Sequence, residues 1–199
     1  MSEGAASEKS GAVSLGPRNT ERFVLRRFVE SDAPLLAAMN MDAEVMRYIR
    51  PPDTDPDEAL ERARGIIARQ RGNYGLWAIE DKSTSEFLGW GALKDLDGNP
   101  EIEVGYGLRR EAWGRGVATE VARELVRYGV EDLGLERIVA VTQPPNTASR
   151  NVLTKFGMTY LGLVNRYYRR ETTYFELLRP IGNVSASERA SVARRAGSG

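Results

Sequence analysis

Between Ile102 and Leu133 the sequence passes from one backbone period to another within a few residues. Ile102-Glu103-Val104-Gly105-Tyr106-Gly107-Leu108 reads as a strand and Arg109-Arg110-Glu111-Ala112-Trp113 as a short polar link. Gly114-Arg115-Gly116 then opens a stretch with apolar residues at Val117, Ala118, Val121, Ala122, Leu125, Val126, Val130 and Leu133. That spacing is one face of a helix with a period of about 3.6 residues, predicted from Gly116 to Leu133. The first turn of such a helix carries N–H groups without intrahelical acceptors at the positive end of its dipole. Glycines at 114 and 116 let an anion reach them, so the segment is an anion site made of main chain. Arg115 either adds a charged side-chain hydrogen bond to that site or simply faces solvent.

The rest of the chain alternates in the same way. Phe23 to Phe28 is a short strand, and Ser31 is placed to cap a helix through Leu35, Leu36 and Met39. A second helical piece holds Val45, Met46 and Ile49 before Pro51-Pro52, and Asp55-Pro56 opens a third with Leu60, Ala63, Ile66 and Ile67. Strands at Leu76 to Glu80, Phe87 to Leu96 and Ile102 to Leu108 are joined by short turns at Asp81-Lys82-Ser83 and Asp97-Gly98-Asn99-Pro100, which implies an antiparallel meander. Beyond the long helix come a strand from Arg137 to Thr142, a helix from Thr147 to Lys155 closed by Gly157, and strands near Thr159 to Tyr168 and Thr172 to Leu178. The fold class is mixed α/β (α+β) with one central sheet. At 199 residues and 41% apolar content the chain suits one core. A single domain over 20–181 is expected, between mobile tails at 1–19 and 182–199.

Composition removes several chemistries. Without Cys or His there is no disulfide, no thiolate nucleophile, no zinc-thiolate site and no histidine proton shuttle, and no metal is expected. Lys plus Arg and Asp plus Glu are balanced at 28 each, so no overall field draws the chain to nucleic acid or an anionic membrane. The Arg194-Arg195 pair belongs to the C-terminal tail. No signal pattern or long apolar run is present, and a cytoplasmic protein is expected.

Two phosphate-binding motifs can be tested against the letters. A dinucleotide fingerprint needs a third glycine where Thr119 stands and an acidic residue at the end of the next strand, which here ends Val141-Thr142-Gln143. Glu136 lies at that strand's start instead. A P-loop needs Gly-Lys-Ser or Gly-Lys-Thr, which does not follow. Three linked segments are more specific: Gly105 to Leu108 leading into Trp113 to Glu120, the strand Arg137 to Val141, and Asn146-Thr147-Ala148-Ser149-Arg150-Asn151-Val152-Leu153-Thr154-Lys155-Phe156-Gly157-Met158. In order and spacing they resemble the GNAT superfamily of acetyl-coenzyme A-dependent N-acetyltransferases, in particular the branch of ribosomal-protein N-terminal (alanine/serine) acetyltransferases. The resemblance runs from about Glu21 to Pro180.

The resemblance implies a GNAT-like central sheet with an antiparallel N-terminal meander, helices on both faces and two central strands that splay apart. It implies acetyl-coenzyme A as co-substrate, with pantetheine beside Tyr106, Gly107 and Leu108 and the pyrophosphate on the amides of Trp113, Gly114, Arg115, Gly116, Val117 and Ala118. Glycine at 105 and 107 fits a close approach by another backbone. Asn146 is a natural helix cap, and by resemblance it also contacts pantetheine, with Ser149 near the sulfur and an oxyanion donor near Leu108. The general base is sought at Glu103 or Glu101, unless both only face a Lys or Arg across the sheet. Two positions depart from the family: Leu153 replaces a Tyr acid and Val141 a Glu, leaving Ser149 or water to protonate the thiolate. Arg47, Tyr48, Arg166, Tyr167, Tyr168, Arg169 and Arg170 are expected near the acceptor entrance, and they suit an anionic or peptide substrate unless they are only a solvated surface. The acceptor is expected to be a peptide N-terminus or a small-molecule amine, and a homodimer is left open. The alternatives are a non-catalytic acyl-coenzyme A binding or sensing domain, and a nucleotide-binding module.

Overall fold

The computed structural model describes residues 16–70 and 72–179. Apart from 16–19, the expected tails lie outside the described residues. One eight-stranded sheet runs in the order β1-β2-β3-β4-β5-β6-β8-β7. The strands are β1 (Arg18–Asn19), β2 (Phe23–Arg26), β3 (Gly75–Asp81), β4 (Phe87–Leu96), β5 (Asn99–Leu108), β6 (Arg137–Thr142), β7 (Thr159–Tyr167) and β8 (Arg170–Leu178). Neighbours are antiparallel except β5 and β6. Arg18 and Asn19, which the sequence places in the tail, pair with β2.

Helices cover both faces. Helices α1 (Ala33–Met41), α2 (Ala43–Met46) and α3 (Pro56–Ala68) bury Leu36, Met39, Met46 and Ala63 with Phe28, Ala78 and Phe87. On the other face, α4 (Val117–Arg127) and α5 (Thr147–Lys155) bury Val117, Val121, Leu125 and Leu153 with Leu25, Ile79, Leu93 and Ile138. The apolar stripe of α4 therefore meets the centre of the sheet. The contact is close, because a Cβ at Gly91 would lie 2.9 Å from Leu125 Cδ1 and Val121 Cγ1.

Three local expectations change. Ser31 does not cap the helix: Asp32 stands at the N-cap position of α1 without a side-chain capping bond, and its carboxylate reaches back to Val29 N–H at 2.8 Å and to Arg26 at 2.6 Å, closing the short turn Glu30–Asp32 ahead of the helix. Past Arg127 the long helix widens to a π-helical turn, Tyr128–Asp132. There Tyr128 is fully buried and Gly129 lies under Ile138, where a Cβ would be 2.6 Å from its Cδ1. The β4–β5 turn is the two-residue Asp97-Gly98, so Asn99 and Pro100 belong to β5.

Candidate active site

The link from β5 to α4 is held rigidly. The Trp113 indole N–H donates to Leu108 O at 2.9 Å, Arg22 Nη1 donates to Arg115 O at 2.9 Å, and the Arg115 guanidinium reaches Asp81 at 2.9 Å. Glu120, in the first turn of α4, accepts from Thr20 Oγ1 at 2.6 Å and Arg22 N–H at 2.8 Å, tying the helix start to β2. Gly114 and Gly116 sit at φ 72° and 79°, in the left-handed region that L side chains rarely adopt. Both are exposed, and a Cβ on Gly114 would meet nothing within 4 Å. Among the described residues, the amides of Gly114 through Thr119 donate no hydrogen bond; the first donor along this stretch is Glu120 N–H, to Gly116 O at 3.2 Å. The turn therefore presents a run of unpaired N–H groups on a fixed frame.

Beside it the sheet opens. β5 and β6 are in register only at Glu103 and Val139, although β5 continues to Leu108 and β6 to Thr142. Arg109 N–H donates to Leu88 O at 2.9 Å. Because an antiparallel ladder alternates, Gly105 and Gly107 turn their main chain toward β4, while Tyr106 and Leu108 turn theirs toward the opening. A cavity of about 1040 Å³ fills this gap. All of the expected cofactor residues except Arg115 line it, as do Glu103 and Ser149. The Arg115 side chain is turned to Asp81 instead. Gly107 has a reason the sequence did not suggest: the close neighbour is the Trp90 indole, and a Cβ at Gly107 would lie 2.6 Å from it. Gly107→Ala should therefore cost about 1–3 kcal/mol of stability, read as a lower urea midpoint at constant slope. An unchanged midpoint would mean the indole moves aside freely.

Glu103 is 6% exposed, and its Oε1 accepts from both the Lys94 ammonium and the Tyr168 hydroxyl, which are themselves 3.0 Å apart. Both bonds fall on one oxygen; Oε2 accepts none among the described residues. Burial works against the Lys94 charge, but Glu103 and Tyr168 outweigh it and hold its pKa above the ordinary 10.5. Burial, then the Glu103 charge, pushes the Tyr168 phenol up to about 12. Both folded pKa values exceed their unfolded ones, so above about pH 10 the folded state holds more protons than the unfolded chain. The stability from this cluster is complete below that pH and falls as pH climbs toward 12. Thermal melts at pH 8 to 11.5 should show a steeper alkaline loss for the wild type than for Tyr168→Phe; parallel curves would contradict the cluster.

On the far wall Asn146 caps α5 through Oδ1, which accepts from Ser149 N–H at 3.1 Å. The Ser149 hydroxyl lies 3.0 Å from the Tyr106 hydroxyl. Burial pushes the Tyr106 phenol up to about 12, with the Ser149 bond pulling the other way, so it stays a neutral donor at physiological pH. Leu153 and Val141 line the cavity without adding an ionisable group.

The rest of the expected set divides. Glu101 lies outside the cavity, where Tyr174 Oη at 2.7 Å, Arg137 at 2.9 Å and the Tyr167 hydroxyl engage it. Burial opposes its charge, but those partners hold its pKa below the usual range. Arg47, Tyr48, Tyr168, Arg169 and Arg170 line the cavity, whereas Arg166 and Tyr167 do not. Tyr167 is buried and stacks on Tyr174, 5.9 Å between centroids, with Arg166 above both rings. Sequence reasoning missed Lys94, Trp90 and Arg50 as lining residues.

A sheet that opens between two parallel strands beside a helix start with unpaired amides suits a co-substrate that carries a diphosphate. Residues 22–159 match the acetyltransferase (GNAT) domain family, and the chain belongs to it. It is 34% identical over 151 residues to the "uncharacterized N-acetyltransferase p20" of Bacillus licheniformis, covering 74% of this chain and 85% of that protein. Among solved structures, a GNAT-family acetyltransferase from Bacillus anthracis aligns with a TM-score of 0.71 at 21% identity, over 82% of this chain and 98% of the other. A ribosomal L7/L12 α-N-protein acetyltransferase (RimL) in complex with coenzyme A aligns with a TM-score of 0.67 at 19% identity, over 80% and 95%. This protein is an acetyl-coenzyme A-dependent N-acetyltransferase of the GNAT family. Among the described residues no helix is long and apolar enough to cross a membrane.

Proposed function

We propose that the cavity takes acetyl-coenzyme A at the α4 end and a peptide α-amine or small-molecule amine at the Glu103 end. The observation that carries this is the run of unpaired amides from Gly114 to Thr119 opening onto one cavity that continues to Glu103. Those amides hold the diphosphate, with Arg115 contributing its main chain, and Tyr106, Gly107, Leu108 and Asn146 flank the pantetheine arm. The co-substrate, when bound, supplies an activated acyl group. Leu108 N–H, on the open side of β5, is placed to steady a developing oxyanion.

Glu103 accepts the amine's proton at Oε2, with Lys94 and Tyr168 fixing the carboxylate through Oε1. Ser149, positioned by the Tyr106 hydroxyl, donates to the departing sulfur. An α-amine, with a pKa near about 8, is neutral far more often at pH 7 than a lysine amine near about 10.4. A site without histidine suits the former. RimL, a structural neighbour, is an α-N-protein acetyltransferase, which supports the same class. Acetyl-coenzyme A chemistry in a chain without cysteine suits the cytoplasm.

Free-thiol release from acetyl-coenzyme A against N-terminal peptides, polyamines and aminoglycosides tests the proposal. Turnover with an α-amine that falls at least about tenfold in Ser149→Ala supports it. Coenzyme A binding without thiol release to any amine would leave only a binding module.

A further inference from the structure

The chain makes two two-residue hairpin turns at the edge of the cavity, and they differ in kind. At Asp97-Gly98 the central residues have φ 50° and 75°, and Asp-Gly is a pair that tolerates this geometry. At Tyr168-Arg169, closed by the pairing of Tyr167 with Arg170, φ is 52° and 53°. Neither side chain favours that conformation, and strain of this sort persists where the surroundings over-determine it. Here they do. The Tyr168 hydroxyl bonds Glu103 and Lys94, its N–H donates to Asp97 Oδ2 at 2.6 Å, and Arg170 donates to Ile49 O at 2.7 Å. The tip is clamped over the Glu103 end of the cavity.

Arg169, inside that clamp, is exposed, lines the cavity and has no hydrogen bond or ion pair among the described residues. Of the other cations at this end, Arg50 pairs with Asp53 at 2.8 Å and Lys94 with Glu103, while Arg170 is held by the Ile49 carbonyl and lies over the Tyr168 ring. Arg47 comes no nearer than 3.9 Å to Glu44, with both side chains more than half exposed, and lies over the Tyr48 ring. An exposed pair at that distance neutralises little. Arg169 and Arg47 thus flank the acceptor end with guanidinium groups that, among the described residues, neither a close carboxylate nor a hydrogen-bond acceptor engages, Arg169 on a turn held in an unfavoured conformation.

Building on the reading that the acceptor enters beside Glu103, we infer that the acceptor is an amine carrying a carboxylate, gripped by Arg169 with Arg47 across the mouth. The planar guanidinium fork matches a carboxylate, and the same charge disfavours polycationic amines. The carboxylate could be the α-carboxylate of a free amino acid or an acidic side chain in a peptide; both share this chemistry.

The test measures kcat/KM by thiol release for matched pairs: a free amino acid against its carboxamide, and an Asp-containing peptide against its Asn twin. At least one pair should favour the carboxylate by about tenfold, and the favoured pair identifies the source. The preference should shrink to about twofold in Arg169→Gln and at high salt, with coenzyme A affinity unchanged by calorimetry. Arg169→Gly should lose the preference without lowering Tm, because glycine relaxes the turn. Equal kcat/KM within both pairs, with transfer occurring, would overturn this inference and leave the N-acetyltransferase reading intact. A preference that survives both Arg169→Gln and Arg47→Gln would overturn the subsite. Failure to release thiol with any amine would overturn both readings.

Discussion

Replacing Gly114 and Gly116 together by valine is expected to weaken coenzyme A binding at least about a hundredfold, or about 2.7 kcal/mol. The main chain there is exposed and its amides are unpaired, so side chains would stand where a diphosphate must approach. The fold should survive: a Cβ on Gly114 meets nothing, and one on Gly116 comes within 3.3 Å only of the Arg22 guanidinium, the end of a flexible side chain. The left-handed φ at each position adds about 1–2 kcal/mol of strain per substitution. Calorimetry alongside a thermal melt separates the two effects. Unchanged affinity in a folded variant would place the diphosphate elsewhere.

Glu103→Gln is expected to lower kcat about a hundredfold at pH 7 while coenzyme A affinity stays the same. Glutamine keeps an acceptor for the Lys94 ammonium and the Tyr168 hydroxyl but cannot take a proton. The deficit should narrow as pH rises past the acceptor's own pKa, near about 8 for an α-amine, because the nucleophile then needs no base. A kcat equal to wild type at pH 7 would remove Glu103 from the chemistry and leave it as a partner for Lys94.

What the sequence reveals and what it hides follow from which interactions are local. Helix α5, from Thr147 to Lys155, and strand β6, from Arg137 to Thr142, fall where cap, period and glycine signals place them, because those signals act within a few residues. The splayed strands and the cradle follow from the family resemblance together with Gly114 and Gly116. The Glu103 cluster follows only in part. A turn over Asp97 to Pro100 sets Lys94 opposite Glu103, and a cation facing each of Glu101 and Glu103 is found, Arg137 at the first and Lys94 at the second. Tyr168 as the second partner of Glu103 has no local signal, and the irregularity between Asp95 and Leu96 that tightens the turn to Asp97-Gly98 leaves no mark in the alternation of side chains. β7 has two such shifts, Tyr160 to Gly162 and Val164 to Tyr167. Face assignments along it fail, so Tyr168 reaches the cavity while Arg166 lies over Tyr167. The Tyr106 and Ser149 hydroxyls meet only because β5 and α5 face each other across the gap, a contact with no local signal.

The central claim is that backbone amides at the start of α4 grip the diphosphate of coenzyme A. Titrating ¹⁵N-labelled protein with coenzyme A, and separately with pantetheine, which has no diphosphate, and following the amide resonances tests it directly. The amides of Gly114, Gly116 and Val117 should shift strongly with coenzyme A and stay nearly still with pantetheine. Saturable coenzyme A binding that leaves those resonances unmoved would contradict it.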